Sequence, residues 1–486
     1  MEEDDVTIRE QNFHSQVREY IICFLLFAVL YIVSYCIITR YKRKSDDHED
    51  EDAVVNRISL YLCTFTLAVS GGAVFLLPFS IISNEILLSF PKNYYIQWLN
   101  GSLIHGLWNL VSLFSNLCLF VLMPFAYFFL ESEGFAGSKK GIKARILETF
   151  VMLFLLALLI LGIVWVASAL IDNDAASMES LYDLWEFYLP YLYSCISLMG
   201  GLLLLMCTPV GLSRMFTVMG QLLVKPTILE DLDEQIYCIH LQEEALQRRL
   251  NGTSAVLRPI LPSLYMNDLN IVSLSRPERR KKASGWEKNL LYPIVMLILL
   301  AGTVILMVAL NILYLLVDET AMPKGSTDRG IGNTSLSTFG VAQAVLEIIL
   351  MFYLMVSSVV GFYSLRVFEG LTPRKDDTTM TTIIGCCVSI LVLSSALPVM
   401  SRTLGITRFD LLGDFGRFNW LGNFYIVLSY NLLFAVVTTL CLVRKFTSAV
   451  REELLKALGL DKLQLSNSPT DPESGKLSAN GHQKTL

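Results

Sequence analysis

Residues 150–170 read FVMLFLLALLILGIVWVASAL, a run of 21 residues without a charged side chain. At a rise of about 1.5 Å per residue, a helix of this length crosses the roughly 30 Å hydrocarbon core of a bilayer. Similar runs recur along the 486-residue chain, of which 53% is hydrophobic and only 17% is charged. Because a segment in lipid must satisfy its own backbone hydrogen bonds, we predict an all-α polytopic membrane protein.

Nine such runs predict about nine transmembrane helices, five before and four after one long polar interval. An acidic N-terminus, 1–19, precedes the first run, so this run is expected to be a retained helix and not a cleaved signal peptide. Helices one to five fall within 20–212, a long loop within 213–289, helices six to nine within 290–443, and an amphipathic helix followed by a disordered tail within 444–486. The predicted spans are 20–39, 58–79, 107–129, 150–170, 188–212, 290–317, 346–367, 381–400 and 424–443.

The distribution of Lys and Arg predicts the orientation in the membrane. With the N-terminus outside, most of the 38 Lys and Arg residues fall in segments on the cytosolic side. The loop 213–289 and the C-terminus are therefore predicted to be cytosolic. Asn333, followed by Thr334 and Ser335, is then a glycosylation candidate in an outer loop. We expect the plasma membrane as location, with the endoplasmic reticulum or an endolysosomal membrane as alternatives.

The predicted outer loops are rich in aromatic residues, which allows two interpretations. Trp and Tyr collect at headgroup depth in membrane proteins, and the same residues dominate protein-binding surfaces. A third outer stretch, 409–420, adds acidic and basic side chains and fits either a lid over the bundle or an interfacial loop. The candidate ligand-contact residues are Tyr94, Tyr95, Trp98, Trp185, Asp414, Arg417 and Trp420.

The cytosolic interval contains a predicted helix, because Thr227 and Glu230 form a capping box ahead of a helically spaced apolar stripe. This helix fits either packing beneath the bundle or binding of a cytosolic adaptor. The basic cluster at the end of the interval fits either a positive-inside anchor or a contact with anionic membrane lipid. Its members are Arg279, Arg280, Lys281 and Lys282.

The motif content argues against catalysis. The five histidines have no metal-ligand spacing, and the chain contains no Walker loop, G-x-S-x-G or H-E-x-x-H motif. We therefore expect no enzyme activity, no cofactor and no nucleic-acid partner. Ionisable residues inside the predicted spans are few, and Glu347 and His105 are both placed near span ends. Coupled transport usually requires such residues deep in the membrane, so transport is weakened as a function without being excluded.

Three longer strings resemble a known family. They are NYYIQWLNGS at 93–102, ESEGFAG at 131–137 and GDFGRFNW at 413–420. With these strings, nearly the whole chain resembles the family of limb region 1 proteins and lipocalin-interacting membrane receptors. The resemblance implies a nine-span receptor with an outer N-terminus and, for the lipocalin-binding branch, endocytic uptake of an extracellular lipocalin. A more distant relative is tied to lysosomal cobalamin traffic.

The chain departs from this family in the second half of the polar interval. Relatives carry a heptad-like helix there, whereas this chain places Pro259, Pro262 and Pro277 in it. Proline inside a helix costs about 3 kcal/mol, so we expect no continuous coiled coil across 252–275.

Two functional hypotheses follow. The first is a multi-pass receptor, with a lipocalin-like extracellular ligand, that acts in signalling or endocytosis. The second is a membrane transporter or trafficking adaptor for a small solute or cofactor.

Overall fold

A computed structural model describes residues 2–43, 50–90, 92–132, 141–171, 179–224, 241, 295–317, 340–406 and 423–457. Within these residues the chain is helical almost throughout, and nine helical segments are long and apolar enough to cross a membrane. The predicted all-α, nine-span architecture is confirmed. Most of the interval 213–289 lies outside the described residues, as do Asn333 and the cluster Arg279, Arg280, Lys281 and Lys282.

The helices are numbered here in chain order. The first two are α1 (Glu2–Tyr41) and α2 (Asp50–Ser89). The third span is made of α3 (Tyr94–Trp98), α4 (His105–Leu117) and α5 (Met123–Glu131), joined by π-helical turns at Leu99–Ile104 and Cys118–Leu122. The remaining spans are α6 (Ile142–Ile171), α7 (Glu179–Val224), α8 (Val295–Val317), α9 (Gly340–Ser364), α10 (Met380–Thr403) and α11 (Phe424–Ala457).

Several helices are longer than their predicted spans. With 40 residues, α1 is about 60 Å long, roughly twice the thickness of the hydrocarbon core. Its N-terminal part therefore projects beyond the membrane as a continuous helix. Helix α7 likewise continues past the predicted end at 212 to Val224. Apolar composition marks only the part of a helix that lies in lipid, so it underestimates such extensions.

The centre of the bundle is α7, which packs against α9, α10 and α11, while α10 also packs against α2. Helix α2 in turn packs against α1. The apolar core shared by these helices includes Leu77, Leu204, Leu350 and Leu397. By contrast, the described side chains of α6 mostly face outward, towards lipid.

Glycines bring the backbones of α7 and α9 into direct contact. A Cβ atom on Gly211 would lie 1.6 Å from the carbonyl oxygen of Ser357, and one on Gly361 would lie 1.9 Å from that of Cys207. One turn away, the hydroxyls of Thr208 and Ser358 hydrogen-bond at 2.8 Å. Small residues at such crossings allow the close approach that stabilises helix pairs in lipid.

Candidate functional site

The predicted aromatic cluster begins on the short helix α3. Asn93 caps this helix, because its extended backbone directs the Oδ1 atom to accept a hydrogen bond from the Tyr95 amide at 3.1 Å. The cap sets the start of α3, and the chain then continues through a π-helical turn into α4. π-Helical turns are frequent at functional sites.

Trp98 fixes α3 to α1. Its indole Nε1 donates to Glu19 Oε1 at 2.9 Å, and the hydroxyl of Ser102 donates to the same oxygen at 2.6 Å. The guanidinium carbon of Arg18 lies 4.2 Å from the centroid of the Trp98 ring, within the range of a cation–π contact. We call this group, Arg18, Glu19, Trp98 and Ser102, the tryptophan clamp.

Beyond the clamp, two tyrosines remain open to their surroundings. Tyr94 is 64% exposed and Tyr95 is 67% exposed, and their rings meet edge to face with centroids 5.7 Å apart. The structure thus brings together three predicted site residues, with Trp98 as the anchor and the tyrosines presented outward. Sequence reasoning missed Arg18 and Glu19, although an adjacent acid and base at the start of an apolar run was an available signal.

The other predicted contact residues are not placed beside this group. Trp185 belongs to α7, but its side chain lies outside the described part of the chain, as do Asp414, Arg417 and Trp420. The described residues that flank 407–422 in the chain include a polar junction, which we call the asparagine node.

The asparagine node joins α8, α10 and α11. The side-chain amide of Asn311 donates to the Thr403 carbonyl and to Asn431 Oδ1, both at 3.1 Å. Asn431 donates in turn to the carbonyls of Thr403 and Val427, both at 2.9 Å. Gly405 has φ +75°, and a Cβ there would lie 2.6 Å from Asn311 Oδ1, so glycine suits both the conformation and the space.

Glu347 lies inside the bundle rather than at the end of its span. Helix α9 begins at Gly340, about two turns before Glu347, and the side chain is only 6% exposed. Its Oε1 accepts a hydrogen bond from Gln343 Nε2 at 3.1 Å. Glu85 of α2 packs against Gly340, at the partially positive N-terminal end of α9. His105, by contrast, is exposed.

At the C-terminal end of α1 a second set of contacts fixes the helix. Arg43 Nε donates to Asp377 Oδ1 at 2.9 Å, and the Arg43 amide donates to the Thr378 carbonyl at 3.1 Å. The Thr378 amide donates to the Tyr41 carbonyl at 3.2 Å. Helix α1 therefore connects α3 at one face of the bundle with the segment that precedes α10 at the other face.

Metal-ligating side chains do not gather in the part of the chain that the structure describes: no group of three or more His, Cys, Asp or Glu residues occurs there in positions that could hold an ion.

Comparison with known proteins identifies the family. A family model described as LMBR1-like membrane protein matches residues 19–281 and 260–446. The chain is 82% identical to a limb region 1 protein homolog of Gallus gallus, over the full length of both, and 80% identical to one of Homo sapiens, over the whole of this chain and 99% of that protein. It is 62% identical to Protein LMBR1L of Mus musculus, over 95% of each chain. No solved structure matches. The chain belongs to the family of LMBR1-like membrane proteins.

Proposed function

We propose that this multi-pass membrane protein is a receptor for an extracellular protein ligand of the lipocalin type and acts in ligand uptake or signalling at the plasma membrane. The supporting observation is the pair of exposed tyrosines, Tyr94 and Tyr95, held on a capped helix by the tryptophan clamp.

Two physical properties of this pair suit it to ligand binding. Tyrosine offers a large contact area with few rotatable bonds, and it is enriched among the residues that carry most binding energy. The clamp fixes the backbone of α3 before a ligand arrives. Ordering a mobile loop on binding would instead cost roughly 0.5–1.5 kcal/mol for each immobilised side chain.

Helix α1 offers a route between the two faces of the membrane. Glu19 of the clamp lies next to the start of the helix's predicted membrane-spanning part, 20–39, and Arg43, which contacts Asp377, lies just past its C-terminal end at Tyr41. On the cytosolic side we propose an adaptor on the loop 213–289 and membrane lipid at Arg279, Arg280, Lys281 and Lys282. Glycosylation of Asn333 and an extracellular N-terminus belong to the same proposal.

The test is ligand binding by the full-length protein in intact cells. Changing both Tyr94 and Tyr95 to Ala is expected to weaken binding of a fluorescent lipocalin about 30-fold, equivalent to ~2 kcal/mol. Tyr314→Ala, which removes a similarly exposed tyrosine from α8, is the matched control and should leave binding unchanged. Trp98→Phe keeps the ring over Arg18 but loses the bond to Glu19, so a smaller loss is expected.

Equal surface expression of all variants, measured by an epitope tag at the N-terminus, makes the binding values comparable. Unchanged lipocalin binding by the double variant, or no binding by the unaltered protein across a panel of lipocalins, contradicts the receptor proposal.

Transport of a small solute or cofactor is the second candidate, because a buried ionisable side chain inside a span commonly marks a transport path. Glu347 is such a residue. Glu347→Gln keeps the shape and one acceptor oxygen but removes the charge, and it should abolish proton-linked uptake into vesicles that contain the protein. Against this candidate, α7 and α9 touch through their backbones at Gly211 and Gly361, which closes that part of their interface.

A further inference from the structure

An open groove separates α7 from α11. It has a volume of about 310 Å³, at the lower end of the roughly 300–1,000 Å³ typical of small-molecule sites. One wall is a single face of α7 that includes Gly201 and Leu205, and the other is a face of α11 that includes Ile426 and Tyr430. Both walls belong to membrane spans, so the groove opens sideways into lipid.

Gly201 lies at the floor of this groove, and its lack of a side chain leaves space there. The hydroxyl of Tyr430, which is 9% exposed, donates to the Gly201 carbonyl at 3.0 Å and holds the aromatic ring in place. A Cβ on Gly201 would have no neighbouring atom of the described chain within 4 Å. On the adjacent Gly200, a Cβ would lie 2.5 Å from Ala396 Cβ. Gly200 thus serves packing against α10, whereas Gly201 faces free space.

The groove occupies one half of the membrane. Its α11 wall extends from Tyr425 to Leu433, about 12 Å along the helix axis, and α11 begins at Phe424. With half of the hydrocarbon core about 15 Å thick, the groove lies within a single leaflet, which the predicted topology makes the outer one. On the α11 wall, Tyr425 lies nearest the start of the helix, Ser429 about one turn further along, and Leu433 one turn beyond Ser429.

We propose that this groove binds a sterol, with the ring system against Gly201 and Tyr430 and the hydroxyl near Tyr425 and Ser429. The site is independent of the receptor function proposed above.

Charge and rigidity favour a sterol over a phospholipid. A phospholipid would place its phosphate at the upper end of the groove, where Lys or Arg is the expected partner, but the described residues that line the groove include neither. A sterol carries one uncharged hydroxyl. Its fused rings also lose little freedom on binding a preformed wall, whereas a flexible acyl chain must be ordered.

The experiment labels the full-length protein in cells with a photoreactive, alkyne-bearing cholesterol analogue and measures the labelling that excess cholesterol displaces. The label should map to peptides that contain 198–205 and 425–433. Gly201→Leu fills the groove, and its competable labelling should fall about tenfold, the loss expected when one leucine-sized apolar contact is removed.

Gly302→Leu is the matched control. Gly302 lies on the lipid-facing side of α8, and a Cβ there likewise meets nothing within 4 Å among the described atoms. Similar thermal stability of the two variants separates loss of binding from loss of folding. Equal competable labelling of the two overturns the proposal. Labelling of the same peptides by a photoreactive phosphatidylcholine or diacylglycerol, with no displacement by cholesterol, assigns the groove to another lipid and also overturns it.

Discussion

Helices α6 and α10 are both apolar enough to span a bilayer, yet they occupy opposite environments. In the most apolar 18-residue window of each, 6% of the described α6 residues are buried inside the protein, against 72% for α10. Leu, Ile, Val and Phe dominate α6, whereas α10 is interrupted by Gly, Ser, Cys and Ala. Lipid is as apolar as a leucine side chain, so apolar surface alone does not drive helices together. Helices rich in small residues, whose backbones can approach one another closely, therefore lie in the interior of the bundle.

The hydroxyls of α10 contribute mainly through their small size. Ser389 donates to the Gly385 carbonyl and Thr403 to the Val399 carbonyl, both at 2.8 Å and within their own helix. The α7–α9 pair, with Thr208 bonded to Ser358, is a case in which the bond crosses between helices. We therefore expect loss of close packing to cost more stability than loss of a hydroxyl.

The largest effect is expected for Gly211→Leu in the interior. Its Cβ would lie 1.6 Å from a backbone oxygen of α9, which cannot move without separating the two helices. We expect a loss of at least about 4 kcal/mol in unfolding free energy, beyond ordinary overpacking. Gly162→Leu on α6, where a Cβ has no described neighbour within 4 Å, should be neutral. The yield of monodisperse protein and thermal unfolding measure both, and equal stability of the two variants would contradict the contrast.

A smaller but substantial effect is expected at the asparagine node. Asn431→Leu leaves the Asn311 amide and the Thr403 carbonyl with fewer partners in an apolar setting, which costs about 1–3 kcal/mol. Asn109→Leu, at an exposed position on α4, is the control and should change stability little. The midpoint of thermal unfolding in one detergent distinguishes the two variants. Equal midpoints would show that the asparagine node does not stabilise the fold.

The smallest effect is expected for the Thr208–Ser358 bond. A double-mutant cycle with Thr208→Val and Ser358→Ala should give a coupling of about 0.6 kcal/mol, the average for such bonds in membranes. Thr303→Val on α8, whose hydroxyl bonds only to the Leu299 carbonyl of its own helix among the described contacts, should show no coupling to Ser358→Ala. A coupling as large as the loss of unfolding free energy measured for Gly211→Leu would reverse the proposed order of packing over hydrogen bonding.

Much of the fold was predictable because length and apolar composition identify helices in lipid. The ends of the helices were less predictable. Helix α9 starts at Gly340 and not at 346, because Gln343 and Glu347 interrupt the apolar run in the sequence but hydrogen-bond to each other in the helix. For the candidate site, composition alone pointed to Tyr94, Tyr95 and Trp98. Glu19 was missed because it lies 79 positions from Trp98. The acid and base at 18–19 mark a candidate position, but the local sequence does not identify its distant partner.

By itself, the sequence determined the nine spans, their membrane environment and the family, because backbone hydrogen bonding in lipid leaves few alternatives and because long strings of residues are shared with relatives. Only the tertiary structure decided which apolar helices lie inside, which glycines serve packing and which leave a groove, and that Trp98 is an anchor while its tyrosine neighbours are exposed. The reason is that a hydropathy scale gives an apolar side chain the same value whether it faces lipid or the protein interior. Contacts between distant segments, such as Gly211 against Ser357 or Trp98 against Glu19, distinguish the two environments.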